Sequence, residues 1–329
     1  MTEPRRLRID RRTTLFALAS TLAAPAAWAQ SASHRPIRII VGFGPGSAND
    51  LIARELARDM AELLGQPVIV ENRPGAGGSL GTEAVAKAAP DGLTLGLGTS
   101  SQMVMNVGLY RTLPFDVDKD LRLIGLVGRT PMLLAGKQAG AKTLNELIAQ
   151  ARARPGQISY GSAGAGSISH IVGEAFAKAA GISLLHVPYK GNAPALADLS
   201  GGHVDLLFDG FLSANPLQQQ GKAQILAVSA PQRSAMGPQV PTFAEAGLPD
   251  YQAYTWNNLF APAGTPQPVI DRLNQALAHA LAQPGMKQRL AQGASDALGP
   301  STPAEADSFG HNERARWVPL VRSLQIETS

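Results

Sequence analysis

From residue 36 onward, the apolar residues of the chain alternate between two spacings. Residues 36–43, PIRIIVGF, form a nearly continuous apolar run that predicts a buried strand. In residues 51–64 the apolar positions recur every three to four residues, which predicts an amphipathic helix, and Gly65 is expected to end it. The predicted buried face of this helix comprises Ile52, Leu56, Met60 and Leu63.

The same alternation continues as far as residue 99. Residues 67–72, PVIVEN, and residues 93–99, LTLGLGT, predict two further strands, and a helix of small residues is expected over residues 81–89 between them. The order β-α-β-α-β predicts a parallel sheet with right-handed crossovers.

A second series of alternating segments follows. Residues 121–136, LRLIGLVGRTPMLLAG, predict a pair of strands, and the last helical region is expected from residue 268 onward. Between them the pattern predicts helices at 143–154, 169–180 and 193–200 and strands at 157–160, 184–189, 203–210 and 223–230. The chain therefore folds, on this prediction, into two α/β lobes. It is expected to cross to the second lobe near Leu126 and to return near Tyr254, which leaves a cleft between the lobes.

A glycine-rich loop, VGFGPGSAND, joins the first predicted strand to the first predicted helix. The amides at a helix N-terminus are unpaired and carry a partial positive charge, so this loop is a candidate anion site. Asn49 is the expected N-cap. Because no Lys or Arg lies between Val41 and Ile52, an anion bound here would be held by amides and hydroxyls.

A second loop of the same kind, YGSAGAGSISH, spans residues 160–170 and again joins a predicted strand to a predicted helix. Ser162, Ser167 and Ser169 supply hydroxyls there. Ligands of open α/β sheets bind outside the carboxyl ends of the strands. We therefore expect both loops to face one cleft and to hold one ligand together.

Charge is concentrated at the N-terminus. Residues 1–30 carry five Arg against Glu3 and Asp10, a net charge of +3 out of +4 for the whole chain, so residues 31–329 carry about +1. Nucleic-acid binding needs clustered basic residues, and we expect none. The chain contains no cysteine, which excludes disulfides and thiolate metal sites.

The first 29 residues have the organisation of an export signal. Arg11 and Arg12 precede a short apolar segment, and AWA at residues 27–29 matches a small-residue cleavage site, so cleavage is expected near Ala29. The double arginine suits twin-arginine export as well as the general secretory route. The mature protein is expected in the periplasm.

Two enzyme classes compete with a binding protein. The first loop approximates the dinucleotide fingerprint G-x-G-x-x-G, but Ser47 occupies the third glycine position and Pro45 removes an amide. A hydrolase would need a placed base, and only His170, beside Ser167 and Ser169, lies near loop serines. The histidines have no metal-ligand spacing.

Several longer motifs resemble one family, the Bug family of periplasmic solute receptors that serve tripartite tricarboxylate transporters. The motifs are PGSAND, VENRPGAGG, LPFDVDKDL, the loop YGSAGAGSISH, HVPYKG, VPTFAEAGLP and LFAPAGTPQPVIDRLN, and they occur in order along the chain after the export signal. The family's first loop commonly reads PGGPTD. The departures at Ser47 and Asn49 put polar groups near the ligand.

The resemblance implies a periplasmic-binding-protein type 2 fold, an α/β architecture of two lobes joined by a hinge of two crossings. Residues 36–126 and 254–329 would form one lobe and residues 127–253 the other. Asp209 would face a ligand amine or terminate its strand through backbone bonds, and Trp256 would pack in the core or stack on the ligand. The implied ligand-binding residues are Phe43, Pro45, Gly46, Ser47, Ala48, Asn49, Asp50, Ser79, Ser162, Ala163, Gly164, Gly166, Ser167, Ser169, Tyr189 and Asp209.

The function implied by the resemblance is capture of a small carboxylate by lobe closure and its delivery to a transporter. The ligand would be a dicarboxylate, a tricarboxylate, an amino acid or an aromatic acid. The implied partners are the permease subunits in the membrane; a membrane sensor kinase is the alternative partner, and an exported NAD(P)-binding oxidoreductase is the alternative function. No catalytic residue, metal or cofactor is expected, and the protein is expected to be a monomer.

Overall fold

The computed structural model describes residues 35–324 and residue 326, so the expected export signal at residues 1–29 lies outside the described residues. The described chain forms two β-sheets. In chain order the strands are β1 (Ile37–Val41), β2 (Val68–Asn72), β3 (Thr94–Thr99), β4 (Leu121–Pro131), β5 (Leu133–Lys137), β6 (Ser159–Ser162), β7 (Leu185–Pro188), β8 (Leu206–Asp209), β9 (Ala223–Val228), β10 (Tyr254–Pro262) and β11 (Asp296–Ala297).

Helices cover both faces of each sheet. They are α1 (Ala48–Leu64), α2 (Ser79–Ala86), α3 (Asn106–Leu109), α4 (Leu144–Ala153), α5 (Ile168–Ala180), α6 (Asn192–Gly201), α7 (Phe211–Gln219), α8 (Gln267–Ala282), α9 (Pro284–Gln292) and α10 (Pro303–Ser323). Among the described residues, no helix combines the length and the apolar composition that crossing a bilayer requires.

The first sheet has the strand order β11-β4-β10-β3-β1-β2. β1 pairs in parallel with β2 and β3, as the β-α-β-α-β pattern predicts. β10 returns from the distant C-terminal part of the chain and lies antiparallel between β3 and β4. The second sheet has the order β7-β6-β8-β5-β9, in which β6 is parallel to β7 and β8 while β5 is antiparallel to β8 and β9.

The prediction of paired strands in residues 121–136 is wrong. β4 and β5 follow each other with only Met132 between them, but they belong to different sheets. β4 forms its ladder with β10, and β5 forms its ladders with β8 and β9. Residues 121–136 are therefore one of the two connections between the sheets, and not a hairpin.

We call the first sheet and its helices the first lobe, and the second sheet and its helices the second lobe. The chain leaves the first sheet at Pro131 and returns to it at Tyr254. Residues 127–131 therefore belong to the first sheet, where their strand β4 pairs with β10. The predicted boundary assigns them to the second lobe. The division at 126 and 253 into two independent units stays a prediction.

Helix α1 shows how the sequence pattern positions the first loop. Ile52, Leu56 and Met60 are buried against the strands of the first sheet, as predicted, and Gly65 ends the helix with a positive φ of 62°. Leu63 is 51% exposed, contrary to the prediction, and Leu64 is buried instead. The spacing of four residues that joins Ile52, Leu56 and Met60 reaches Leu64, so Leu63 lies to one side of that stripe.

Candidate functional site

A cavity of about 460 Å³ lies between the lobes. The first lobe contributes the start of α1, the end of β3 with the residues after it, the first part of β10 and the end of α9. The second lobe contributes the first residues of α5, α6 and α7 and the end of β8. These elements converge because strand ends and helix N-termini meet at one edge of each sheet.

The first loop ends in a helix N-terminus capped by Ser47. The Ser47 Oγ accepts a hydrogen bond from the Asp50 amide at 3.3 Å, so Ser47 and not the predicted Asn49 is the N-cap. Gly46 precedes it with φ 79°, a conformation that glycine adopts without a Cβ penalty. Capping leaves the amides of Ala48 and Asn49 without an intrahelical acceptor.

The second loop reproduces this geometry. The Ser167 Oγ accepts a hydrogen bond from the His170 amide at 3.3 Å, Gly166 has φ 76°, and the φ and ψ of Ser167 are the same as those of Ser47. The residues that follow the two caps, Ala48 and Ile168, both line the cavity. The two loops therefore present equivalent helix N-termini to one space, one from each lobe.

Asp50 braces the first loop from behind. Its carboxylate accepts hydrogen bonds from the Gly46 amide at 2.9 Å, from Arg54 at 2.9 and 3.0 Å and from Asn72 at 2.9 Å. The hydrogen bond from Arg54 is the main cause of its lowered pKa, about 2. The side chain is buried. Asp50 thus shapes the loop without being part of the cavity lining, and its contact with a ligand stays a prediction.

His170 takes the place of Asp50 in the second loop. Its Nδ1 accepts a hydrogen bond from the Gly166 amide at 3.0 Å, and its ring stacks on that of His186 with centroids 3.7 Å apart. The His186 Nε2 lies 2.7 Å from the Ser162 Oγ. Burial lowers the pKa of both imidazoles. Two neutral, stacked imidazoles therefore brace this loop, and His170 is not placed as a base for Ser167 or Ser169.

The structure separates the predicted site residues into two groups. Phe43, Ala48, Asn49 and Asp209 line the cavity. The other predicted members of the two loops are not part of that lining, and all of them except Pro45 take part in hydrogen bonds that shape the loops. They are Pro45, Gly46, Ser47, Asp50, Ser162, Ala163, Gly164, Gly166, Ser167 and Ser169.

Two predicted residues face other parts of the protein. The Tyr189 hydroxyl donates to Asp198 on α6 at 2.6 Å, and Asn192 lines the cavity in its place. The Ser79 hydroxyl accepts from the Asn106 amide group at 2.9 Å and is buried. Each hydroxyl is therefore engaged by a protein group, and direct contact of Ser79 or Tyr189 with a ligand stays a prediction.

Asp209 combines both roles that the sequence left open. Its Oδ1 accepts from the Gly210 amide at 2.8 Å and from Asn192 at 3.2 Å, which is the strand-terminating role. Its Oδ2 has no hydrogen-bond partner among the described residues, although Asp209 is only 8% exposed. Burial raises the pKa of Asp209. One oxygen is thus available to a bound group.

Trp256 forms part of the floor of the cavity. It is fully buried, and its ring packs edge-to-face on Phe309 with centroids 5.1 Å apart. Its indole N–H has no acceptor among the described residues. Core packing is therefore its observed role.

Sequence reasoning missed two parts of the site. Thr99 ends β3, Ser100 and Ser101 follow it, and all three line the cavity. The Ser100 hydroxyl is buried without a partner among the described residues. The rule that ligands bind beyond strand carboxyl ends could have found them. The end of α9 contributes Arg289 and Gln292, for which no local sequence signal exists.

Asn49 is the polar side chain of the first loop that reaches the cavity. Its Oδ1 accepts a hydrogen bond from Asn257 at 2.7 Å, and both residues line the cavity. This contact fixes the orientation of the Asn49 amide and leaves its N–H groups directed away from Asn257. The cavity wall is mostly apolar, and its amides and hydroxyls supply neutral donors that suit the polar end of a small anionic ligand.

A family model and a relative of known sequence both match most of this chain. The family model described as tripartite tricarboxylate transporter family receptor matches residues 52–326. The chain is similar to BugT of Bordetella pertussis, with 37% identity over 311 residues that cover 94% of each protein.

Two solved structures have the same fold. One is MatC of Rhodopseudomonas palustris with bound malate, at 34% identity and a TM-score of 0.73, covering 87% of this chain and 99% of MatC. The other is the periplasmic binding protein BugD, at 33% identity and a TM-score of 0.73, covering 90% of this chain and 99% of BugD.

Proposed function

The chain belongs to the tripartite tricarboxylate transporter receptor family, and from that premise we propose that it captures a small carboxylate in the cleft between its two lobes. The family comprises solute-binding receptors and not enzymes, which removes the oxidoreductase alternative. The resemblance to Bug proteins noted in the sequence is confirmed. MatC was solved with malate, which makes a small carboxylic acid the first ligand class to consider here.

The observation that carries the proposal is the pair of equivalent helix N-termini. Ala48 and Ile168 each follow a capping serine and each line the same cavity from a different lobe. A helix N-terminus carries a partial positive charge of about half a unit and several unpaired amides. Two such termini can together compensate one carboxylate, and no salt bridge is required at this end of the cleft.

Closure of the lobes would strengthen this capture. Leu51 of the first lobe and Leu212 of the second line the cavity, and they are 38% and 56% exposed. Closure over a ligand would bury these apolar side chains, which is favourable by about 25 cal/mol per Å². It would also exclude water, and the amide dipoles then act on the carboxylate in a medium of lower dielectric.

Other lining residues would select among carboxylates. Asn49, Ser100 and Ser101 offer neutral donors, whereas the free oxygen of Asp209 would accept a hydrogen bond from a ligand hydroxyl or ammonium group. The loops that hold Ser47, Ser167 and their neighbours would position the backbone donors.

The partner and the compartment complete the proposal. We place the mature protein in the periplasm, exported by the segment that ends near Ala29, and we propose that it delivers its ligand to the permease of a tripartite tricarboxylate transporter. Support comes from the family and from the sequence of the first 29 residues. Fractionation of cells that express the full chain tests the compartment.

A thermal-shift screen tests the ligand class. The panel contains malate, succinate, adipate, glutamate and nicotinate, each paired with its uncharged amide. A ligand at one hundred times its Kd stabilises the folded state by about 2.7 kcal/mol, so the melting temperature should rise by several degrees for one acid and not for its amide. X-ray scattering should show a smaller radius of gyration in the presence of that acid. No shift with any acid would contradict the proposal.

A further inference from the structure

The described residues that line the cavity include two ionisable side chains, Asp209 from the second lobe and Arg289 from the first. The remaining lining residues are neutral. Arg289 lies in the last turn of α9 and belongs to neither glycine loop. The cleft therefore has a fixed cation in addition to the helix N-termini.

The guanidinium of Arg289 has unused hydrogen-bonding capacity. Among the described residues it forms no ion pair, its Nε is buried without an acceptor, and its Nη1 donates only to the neutral Gln292 side chain at 3.3 Å. Arg54, on the neighbouring α1, has less free hydrogen-bonding capacity, because its Nε and Nη2 both donate to the Asp50 carboxylate. A guanidinium has five donors in a planar fork that matches a carboxylate, so Arg289 can bind one without losing an existing partner.

The packing of α9 holds Arg289 in this position. Met286 and Leu290 are buried in the core that α9 shares with α1, and a Cβ at Gly285 would come within 2.5 Å of the Glu55 carboxylate on α1. The close contact of the two helices places the end of α9 beside the start of α1. The cation and the first loop are consequently parts of one wall, supported by one core.

We propose that Arg289 binds a second carboxylate of the ligand, so that the protein selects dicarboxylates over monocarboxylates of the same length. The inference rests on the proposed function, in which the first carboxylate occupies the two helix N-termini. A charge-assisted hydrogen bond to the guanidinium distinguishes the two ligand classes. Asp209, on the other lobe, remains available to a hydroxyl or ammonium group between the two carboxylates.

The test uses calorimetric titration of two matched ligand pairs, succinate with butyrate and adipate with hexanoate. The variant is Arg289→Gln, and the control is Lys287→Gln, which removes the same charge from an exposed residue of the same helix that does not line the cavity. Loss of a hydrogen bond to a charged group corresponds to about a 10- to 150-fold loss of affinity. We expect that loss for the better dicarboxylate in Arg289→Gln, a change of less than about threefold for its monocarboxylate, and no change in Lys287→Gln.

Arg289→Lys keeps the positive charge but lacks the planar fork of donors. It should therefore recover part of the dicarboxylate affinity that Arg289→Gln loses. Comparable melting temperatures of wild type and Arg289→Gln would show that folding is intact. If wild type binds a dicarboxylate and Arg289→Gln binds it equally well, this inference is wrong while the proposed function stands. If wild type binds none of the four acids, this inference is wrong, and the thermal-shift screen with the wider panel decides whether the proposed function stands.

Discussion

Ser47 and Ser167 have the same backbone conformation, φ −66° and ψ 159°, although they lie in different lobes and 120 positions apart in the sequence. Each caps a helix and each follows a glycine with positive φ. The braces behind them differ, because Asp50 serves the first loop and the stacked His170 and His186 serve the second. The two loops thus have the same backbone conformation although different side chains hold them. This indicates that the cleft requires this loop shape in both lobes.

Removal of either capping hydroxyl should affect both folding and binding. Ser47→Ala and Ser167→Ala should each lower the free energy of unfolding by about 1 kcal/mol through the lost N-cap. Each should also weaken ligand binding about tenfold or more if the hydroxyl proton is donated to the carboxylate. Thr143→Ala is the control, since Thr143 caps α4 in the same way, with Oγ1 3.2 Å from the Glu146 amide, but lies outside the cleft.

Denaturant unfolding gives the stability of these variants and calorimetry gives their affinity. Thr143→Ala should lose stability and keep its affinity. Equal affinities for all three variants and wild type would show that neither serine hydroxyl contacts the ligand.

The two positive-φ glycines should respond differently to alanine. Gly46→Ala and Gly166→Ala both force a side chain into the left-handed region, at a cost of about 1 kcal/mol or more. A Cβ at Gly46 would meet no atom within 4 Å, whereas a Cβ at Gly166 would lie 2.8 Å from Leu109 of the first lobe. Gly166→Ala should therefore be the less stable of the two and should hold the lobes apart.

Thermal unfolding and X-ray scattering measure the two effects. A larger radius of gyration for Gly166→Ala than for Gly46→Ala is the expected result. Identical melting temperatures and radii would contradict the contact between Gly166 and Leu109.

The histidine pair predicts an acid-sensitive second lobe. Burial, followed by the charge of His170, lowers the pKa of His186 from 6.5 to about 4, while Glu174 opposes the shift. Because the folded pKa lies below the unfolded value, the stabilisation is complete above pH 6.5 and is lost as the pH falls toward 4. The loss should be about 2 kcal/mol between these limits.

Urea unfolding at a series of pH values checks this dependence. In His186→Gln the decline in the free energy of unfolding between neutral pH and pH 4 should be smaller than in wild type. His203→Gln, which changes an exposed histidine of the same lobe, should follow the wild-type curve. Superimposable curves for His186→Gln and wild type would contradict the account of the pair.

Asp209 should discriminate ligands by a single hydroxyl group. Its free Oδ2 is expected to accept from the hydroxyl of malate, which succinate lacks. Asp209→Asn presents a different set of donors and acceptors and should reduce the ratio of malate affinity to succinate affinity by roughly tenfold. Calorimetry with both acids measures the ratio, and the succinate titration is the internal control. An unchanged ratio would place the malate hydroxyl elsewhere.

The spacing of apolar residues predicted those parts of the fold that depend on residues close together in the sequence. β1, α1, β2 and β3 follow from apolar spacing over residues 36–99. The insertion of β10 between β3 and β4 depends on pairing between segments more than 120 residues apart, for example Trp256 with Arg129. Apolar spacing contains no information on such partners, which is why residues 121–136 were predicted to pair with each other.

The residues of the candidate site likewise divide into those that local sequence predicts and those that only tertiary packing brings to the cleft. The glycines and serines of both loops have a local conformational reason to be there, and they were found from the sequence. Arg289 was missed because an arginine near a helix C-terminus has the ordinary pattern of a solvated surface residue. Only the packing of α9 on α1 brings it to the cleft. The hydrogen bond from the Tyr189 hydroxyl to Asp198 was likewise not apparent from the sequence.

The most direct test of the central claim is a crystal structure of the protein with the carboxylate that gives the largest thermal shift. One carboxylate group should lie within hydrogen-bond distance, about 2.7–3.2 Å, of donors in both residues 46–49 and residues 166–169. A carboxylate bound by one lobe alone, or bound outside the cleft, would contradict the claim.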